Sequence, residues 1–172
     1  MKNTHLQHPE DSILSGDLTA LDWLLSDGDL SVKIDGAPAI VWGTNPQTGN
    51  FFVGTKSVFN KVKIKINESH QEIDQNHSGV VADILHHCFD YLPSFDGIVQ
   101  GDFIGYGGDD TFCPNTITYI FDEVIDQQII IAPHTLYATD GELKDAYTIN
   151  DMVDMEIRSE EHTSELQSLT NL

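Results

Sequence analysis

Lys33 stands in Val32-Lys33-Ile34-Asp35-Gly36-Ala37-Pro38-Ala39-Ile40-Val41-Trp42, between apolar β-formers and directly ahead of an acid and a glycine. A lone amine among apolar neighbours is how a protein makes a nitrogen nucleophile, because desolvation disfavours the ammonium form. An unperturbed lysine, with a pKa of about 10.4, is roughly 99.9% protonated at neutral pH. Attack at that pH therefore requires a depression on the order of three units, equivalent to about 4 kcal/mol. Val32, Ile34 and Ile40, other cations such as Lys56, and any bound metal all push in that direction.

Cations are scarce enough for their placement to carry information. The 172-residue chain has eight lysines and arginines against 28 acids, a formal charge of −20, which excludes a broad basic face for gripping nucleic acid. Five of the eight, Lys33, Lys56, Lys61, Lys63 and Lys65, fall within 33 positions. Any polyanion is held locally, through that segment.

The carboxyl-terminal residues are set apart. Arg158-Ser159-Glu160-Glu161-His162-Thr163-Ser164-Glu165-Leu166-Gln167-Ser168 resembles the conceptual translation of a sequencing-library adapter, so residues 158–172 are expected to be a non-native tail and residues 1–157 the partial natural domain. Without the tail, seven lysines face 25 acids, a formal charge of −18. The natural reading frame is expected to continue past Ile157.

Length and a hydrophobic content of 40% fit one domain with one core. No apolar run approaches a membrane span, and Met1 to Glu10 is polar, without a signal-peptide layout; the expected compartment is cytoplasmic, or host cytoplasm if the protein is viral. Cys88 and Cys113 read as reduced thiols in a helix and a loop.

The elements that must position these residues alternate. Asp17 can cap a helix over Leu18 to Ser26 with Leu18, Leu21, Leu24 and Leu25 on one face, ended by Asp27-Gly28-Asp29. Leu30 to Ile34 and Pro38 to Gly43 read as strand; Asn45-Pro46-Gln47-Thr48-Gly49-Asn50 is a turn, and Phe51 to Thr55 returns as the second strand of a hairpin. From Asn60 to Ile66, lysines alternate with Val62, Ile64 and Ile66, predicting a strand with three ammonium groups on one face. Residues 67–78 read as a loop or short surface helix. Val80, Val81, Ile84, Leu85, Cys88, Phe89 and Leu92 predict a helix from a Ser78 cap to Pro93. Gly97 to Ile104 and Thr116 to Val124 read as strands joined by a turn at 105–110, with a further strand over Ile129 to Ile131.

With that layout, Lys33-Ile34-Asp35-Gly36, Gly54-Thr55-Lys56-Ser57, Gly101-Asp102-Phe103-Ile104-Gly105 and Tyr119-Ile120-Phe121-Asp122 resemble, in order and approximate spacing, the first four motifs of the covalent nucleotidyltransferases. These are the ATP-dependent DNA and RNA ligases and the capping guanylyltransferases, with the RNA ligases most similar. The resemblance implies an α+β adenylation domain, ATP-grasp-like, with antiparallel sheets and flanking helices, incomplete at its carboxyl terminus. It implies that Lys33 attacks the α-phosphate of ATP, with Mg2+ or Mn2+ as cofactor, to form a lysyl-AMP that is passed to the 5′-phosphate of a nucleic acid.

By the same carry-over Asp35 orients the lysine or the incoming strand, Gly36 lets backbone approach the nucleotide, Lys56 contacts ribose or substrate, Asp102 replaces a family Glu on the ribose hydroxyls, and Phe121 stacks on adenine. Pro38 stands where DNA ligases and capping enzymes have Arg. The Glu-Gly and Lys-x-Lys motifs of the family, which hold metal and phosphates, do not follow Phe121, and Lys144 is the only later natural lysine. A chain ending near Ile157 would lack them and be inactive alone.

Each residue also has an ordinary reading. Lys33 can be a strand lysine that snorkels to solvent. Lys61, Lys63 and Lys65 read as a solvated edge strand ahead of a nucleic-acid contact. Asp102 and Phe121 singly would be turn and core residues, His86-His87 a surface pair whose rings do not share a helix face, and Asp109-Asp110 solvated turn acids. Two further functions remain open: a non-catalytic nucleotide-binding domain, and an unrelated structural or interaction protein, such as a viral one.

Overall fold

The turn Asn45–Asn50 is held by its own polar side chains and by one acid from elsewhere in the chain. The Glu68 carboxylate accepts from Asn45 Nδ2 at 2.6 Å, Thr48 Oγ1 at 2.5 Å and Asn50 Nδ2 at 2.9 Å, and the Asn45 side chain accepts from Gln47 N. Across this turn β1 (Ala39–Thr44) pairs antiparallel with β2 (Phe51–Gly54), as the turn residues predict.

A computed structural model describes residues 9–26 and 33–149. Two short helices, α1 (Pro9–Leu14) and α2 (Thr19–Leu24), precede the hairpin; a 3-10 turn (Lys56–Phe59), α3 (His70–Asn76) and α4 (Val80–Tyr91) follow it. The chain continues through β3 (Ile98–Tyr106), β4 (Asp109–Phe112), β5 (Tyr119–Ile125), β6 (Ile129–Ala138), a second 3-10 turn (Leu143–Asp145) and β7 (Tyr147–Ile149). The fold is α+β. Its five-stranded sheet runs β2-β1-β3-β6-β7, with every pair antiparallel, and β4 and β5 form a separate two-stranded ribbon.

Strand alternation divides the core between the two faces of the sheet. Ile40, Trp42, Val53, Val99 and Phe103 meet Ile73 of α3 and Ala82, Ile84, Leu85 and Cys88 of α4 on one face. On the other, Val41, Phe52, Ile98 and Tyr137 are covered by Val58, Leu143 and Ala146 of the two 3-10 turns. A third cluster, Ile104, Phe112 and Ala132 with Ile34, Tyr119, Phe121, Ile125 and Ile130, seats the ribbon. Each fully buried aliphatic contributes about 1.5–3 kcal/mol. Burial pushes the Cys88 thiol up to about 12, so this cysteine is a core hydrophobe, while Cys113 is exposed.

Several expectations are corrected. Lys61 to Lys65 form no strand: Lys63 takes φ 57°, Lys65 N reaches back to Ser57 O at 3.4 Å, and Lys65 Nζ donates to Asn76 O at 2.5 Å. Alternation needs a ladder partner to become a strand, and here only Asn67 bridges to the β2 edge, at Val53. Val62 and Ile64 are therefore exposed rather than packed beneath the lysines. The 105–110 turn is shorter than expected, because Asp109–Phe112 pairs with β5.

Lys33 and Ile34 lie in irregular backbone, not in a strand, and Leu30 to Val32, Asp27 to Asp29 and the tail fall outside the described residues. Gly79 rather than Ser78 caps α4. Asp17 Oδ1 does accept from Thr19 N at 3.0 Å, yet Leu18, Leu21, Leu24 and Leu25 are exposed.

Burial of Glu68 favours its neutral form, but the donors from Asn50, Thr48 and Asn45 outweigh it and hold the carboxyl below the usual range. A folded pKa below the unfolded one, about 4.3, gives stability that is present above that value and lost as pH falls through the folded pKa. Thermal midpoints followed from about pH 7 to about pH 2 should fall more steeply over that window in the wild type than in Glu68→Gln; parallel curves would remove Glu68 from the account of the turn.

Candidate active site

In β3, Gln100 and Asp102 point away from α4, on the face opposite Val99 and Phe103, and both are buried. Asp102 pairs across β1 with Ala39, whose small side chain leaves the carboxylate room. The segment ahead of β1 is laid along β3 by two further backbone bonds, Ala37 N to Phe103 O and Phe103 N to Pro38 O, each 3.0 Å.

Gly36 is what permits this close approach. A Cβ there would sit 2.3 Å from Phe103 O and 2.7 Å from Ile104 Cδ1. The Gly36 N–H points at Asp102 Oδ2 at 3.4 Å. The role expected for this glycine was backbone approach to a nucleotide; within the chain its contacts seat the lysine-bearing loop on β3.

Lys33 Nζ pairs with the Asp35 carboxylate and lies 3.5 Å from Asp102 Oδ2, and its side chain is 56% exposed. Partial burial pulls the Lys33 amine down, but Asp35 and Asp102 outweigh it and hold the ammonium above its ordinary pKa. The expected depression is therefore not a property of the protein alone; the apolar neighbours are outweighed by two carboxylates. For Asp102, burial favours the neutral acid, while His134, Lys33 and the Gly36 N–H outweigh it and hold the carboxyl low. The pair is ionised.

Tyr119, at the start of β5, clamps the loop from the ribbon side. Its hydroxyl accepts from Asp35 N and donates to Asp35 O, both at 2.9 Å. Ile34 packs into the cluster beneath the ribbon, where half-buried Phe121 meets Phe112 edge-on at 5.8 Å. Phe121 thus lies close along the chain to the loop's clamp, with its ring committed to an apolar cluster.

The other predicted cations stand apart. Lys56 follows β2, whose carboxyl end lies beside the start of β1 because Gly54 pairs with Val41; it is exposed at the end of the sheet where Ala39 faces Asp102. Lys61 and Lys63 are exposed and Lys65 is spent on Asn76, so these three do not join the site.

Sequence reasoning missed four residues of this arrangement: Tyr119, already described as the clamp, and Gln100, His134 and Tyr137. β6 runs ten residues, Ile129–Ala138, where a strand of three was expected. Gln100 pairs with Thr135 and Gly101 with Pro133, leaving His134 as an extra residue in a β-bulge. Pro133 lacks an N–H and is tolerated at such a break in the ladder. Pro133-His134 within an aliphatic run is the sign in the sequence that could have marked the bulge. The bulge turns His134 toward Asp102, with Nε2 at 3.4 Å from Oδ1.

His86 and His87 diverge. His86 Nδ1 meets His70 Nδ1 on α3 at 2.7 Å, and the His87 ring lies 4.7 Å from Tyr106. Among the described residues no group of three or more His, Cys, Asp or Glu could hold a metal ion, and no helix is long and apolar enough to cross a membrane.

Comparison with known families matches residues 3–170 to the model of a family of unknown function, DUF6267, across the point near Ile157 beyond which a non-native tail was expected. No curated protein and no solved structure matches the chain.

Proposed function

We propose, for a chain that belongs to the DUF6267 family of unknown function, an ATP-dependent nucleotidyltransferase of the polynucleotide-ligase kind in which Lys33 accepts AMP. The observation that carries this reading is convergence. Asp102 lies 66 residues from Gly36, yet it contacts both Gly36 N and Lys33 Nζ, so groups that resemble separate motifs of one family meet at one place. The α+β fold with antiparallel sheets is compatible with that family.

In the proposed reaction Lys33 Nζ attacks the α-phosphorus of ATP, the N–P bond forms, and the P–O bond to pyrophosphate breaks. Asp35 and Asp102 orient the amine. Phe121 would offer the base an apolar edge, and Lys56, with exposed Lys61 and Lys63, would meet a 5′-phosphorylated strand. A divalent ion would supply charge neutralisation of the phosphates, but the described residues do not form a three-ligand group.

One observation favours a second reading, a domain that binds a nucleotide without catalysis: the Lys33 ammonium is stabilised by two carboxylates. One experiment separates the two. The chain, and the same chain joined to the natural sequence expected past Ile157, are incubated with α-labelled ATP and Mg2+. Label that survives denaturation and is released by acid supports a lysyl phosphoramidate. ATP binding with no covalent label in either protein would favour the second reading and overturn the first.

A further inference from the structure

We propose that His134 is a positioning residue that receives a proton from Lys33 across the Asp102 carboxylate, an inference that rests on the nucleophile reading of Lys33. The groups form a continuous line: Lys33 Nζ is 3.5 Å from Asp102 Oδ2, Asp102 Oδ1 is 3.4 Å from His134 Nε2, and His134 Nδ1 is 2.7 Å from Thr135 Oγ1. His134 Nε2 also lies 3.4 Å from the Gln100 amide nitrogen, whose Oε1 accepts from the Tyr137 hydroxyl at 2.8 Å.

That double approach is the informative feature. An amide N–H can only donate and a carboxylate can only accept. With Nε2 bare, Gln100 donates to it and Nδ1–H donates to Thr135; with Nε2 protonated, it donates to Asp102. Either protonation state of the ring finds a partner without movement of the backbone, as a proton acceptor working beside a nucleophile requires. The bulge that places His134 is the kind of local insertion that re-aims a side chain at a site.

One proton passes from the Lys33 ammonium to Asp102 Oδ2, and a half-turn of the carboxyl group presents it to His134 Nε2, so Asp102 is a carboxylate before and after. The freed lone pair forms the N–P bond as the P–O bond to pyrophosphate breaks, and the second N–H proton leaves on the departing pyrophosphate oxygen. The titratable group facing His134 is Asp102 on β3 and, through it, Lys33 on the loop; Tyr137 on its own strand reaches it only through Gln100.

Two assays test this, one independent of ATP. In the first, the chain is acylated by an aryl acetate, whose aminolysis also requires the amine to shed a proton, and modification at Lys33 is compared with that at exposed Lys61 in the same molecules. His134→Gln should lower the Lys33-to-Lys61 ratio about 10-fold near neutral pH. Imidazole added at millimolar concentration should restore part of that ratio in His134→Gln and in the smaller His134→Ala while leaving Lys61 unchanged, a rescue that a merely structural role would not show.

A ratio unchanged by His134→Gln, or one that imidazole leaves low in both variants, overturns the inference whatever ATP does. In the second assay, labelling from α-labelled ATP should slow about 100-fold in His134→Gln, with the gap narrowing as pH rises. No label in the wild-type chain or in the chain joined to the natural sequence expected past Ile157, with the expected acylation ratios, would overturn the nucleotidyl-transfer reading alone.

Discussion

Lys33→Arg is expected to abolish covalent labelling from α-labelled ATP while leaving the thermal midpoint almost unchanged. Lys33 is 56% exposed at its side chain and its ion-pair partners are Asp35 and Asp102. Arginine keeps the positive charge and can still pair with both carboxylates, but its guanidinium does not deprotonate in proteins and so offers no nucleophilic nitrogen. A substitution at an exposed position that preserves its ion pairs stays within about 0.5 kcal/mol of the parent stability. The variant therefore separates the two things a lysine supplies, a cation and a lone pair. It should bind ATP near the parental level and carry no label; a labelled Lys33→Arg protein would place the nucleophile elsewhere.

Gly36→Val has the second largest expected effect, and it reaches the site by geometry rather than chemistry. The first added carbon would meet the Phe103 carbonyl oxygen at 2.3 Å, and that oxygen belongs to a central strand paired on both sides. The strand cannot yield, so the loop must lift. Overpacking of this kind costs about 1–3 kcal/mol. Lifting the loop withdraws the Gly36 N–H from Asp102 and carries Lys33 away from its 3.5 Å approach. Displacement on the scale of an ångström reduces rate about 100-fold. Calorimetry and the labelling assay should report both losses together; a variant with parental melting and labelling would mean the loop does not depend on its seat against β3.

What could be read from the chain in advance follows the range of the interactions involved. The β1–β2 hairpin and α4 were legible because turn chemistry and helical periodicity are local. The segment from Lys61 to Lys65 carried the right alternation and still made no strand, since alternation says nothing about whether a neighbouring edge has a partner to give. β6 runs on past Ile131, where the expected strand ended, because a bulge accommodates Pro133 and its missing N–H within the ladder.

The site divides in the same way. Lys33, Asp35, Gly36 and Asp102 could be singled out in their linear order, and the fold brings all four together. His134 and Tyr119 could not: one depends on a one-residue shift in the register of β6, and the other on a contact 84 positions along the chain.

The strand order β2-β1-β3-β6-β7 also sets a sequence of events in time. The β1–β2 hairpin closes over a six-residue turn and can form as soon as it is made, whereas the pairing of Ala39 with Asp102 and of Asp102 with Ala132 closes far longer loops. Asp102 and His134 are brought beside Lys33 by those late pairings, and Tyr119 arrives on the separate β4–β5 ribbon. During synthesis the amine is made early, but its carboxylate, clamp and histidine partners are added strand by strand. The assembly is complete only once residues through β6 have joined the sheet, so a partly folded chain carries its nucleophile without the surroundings that direct it.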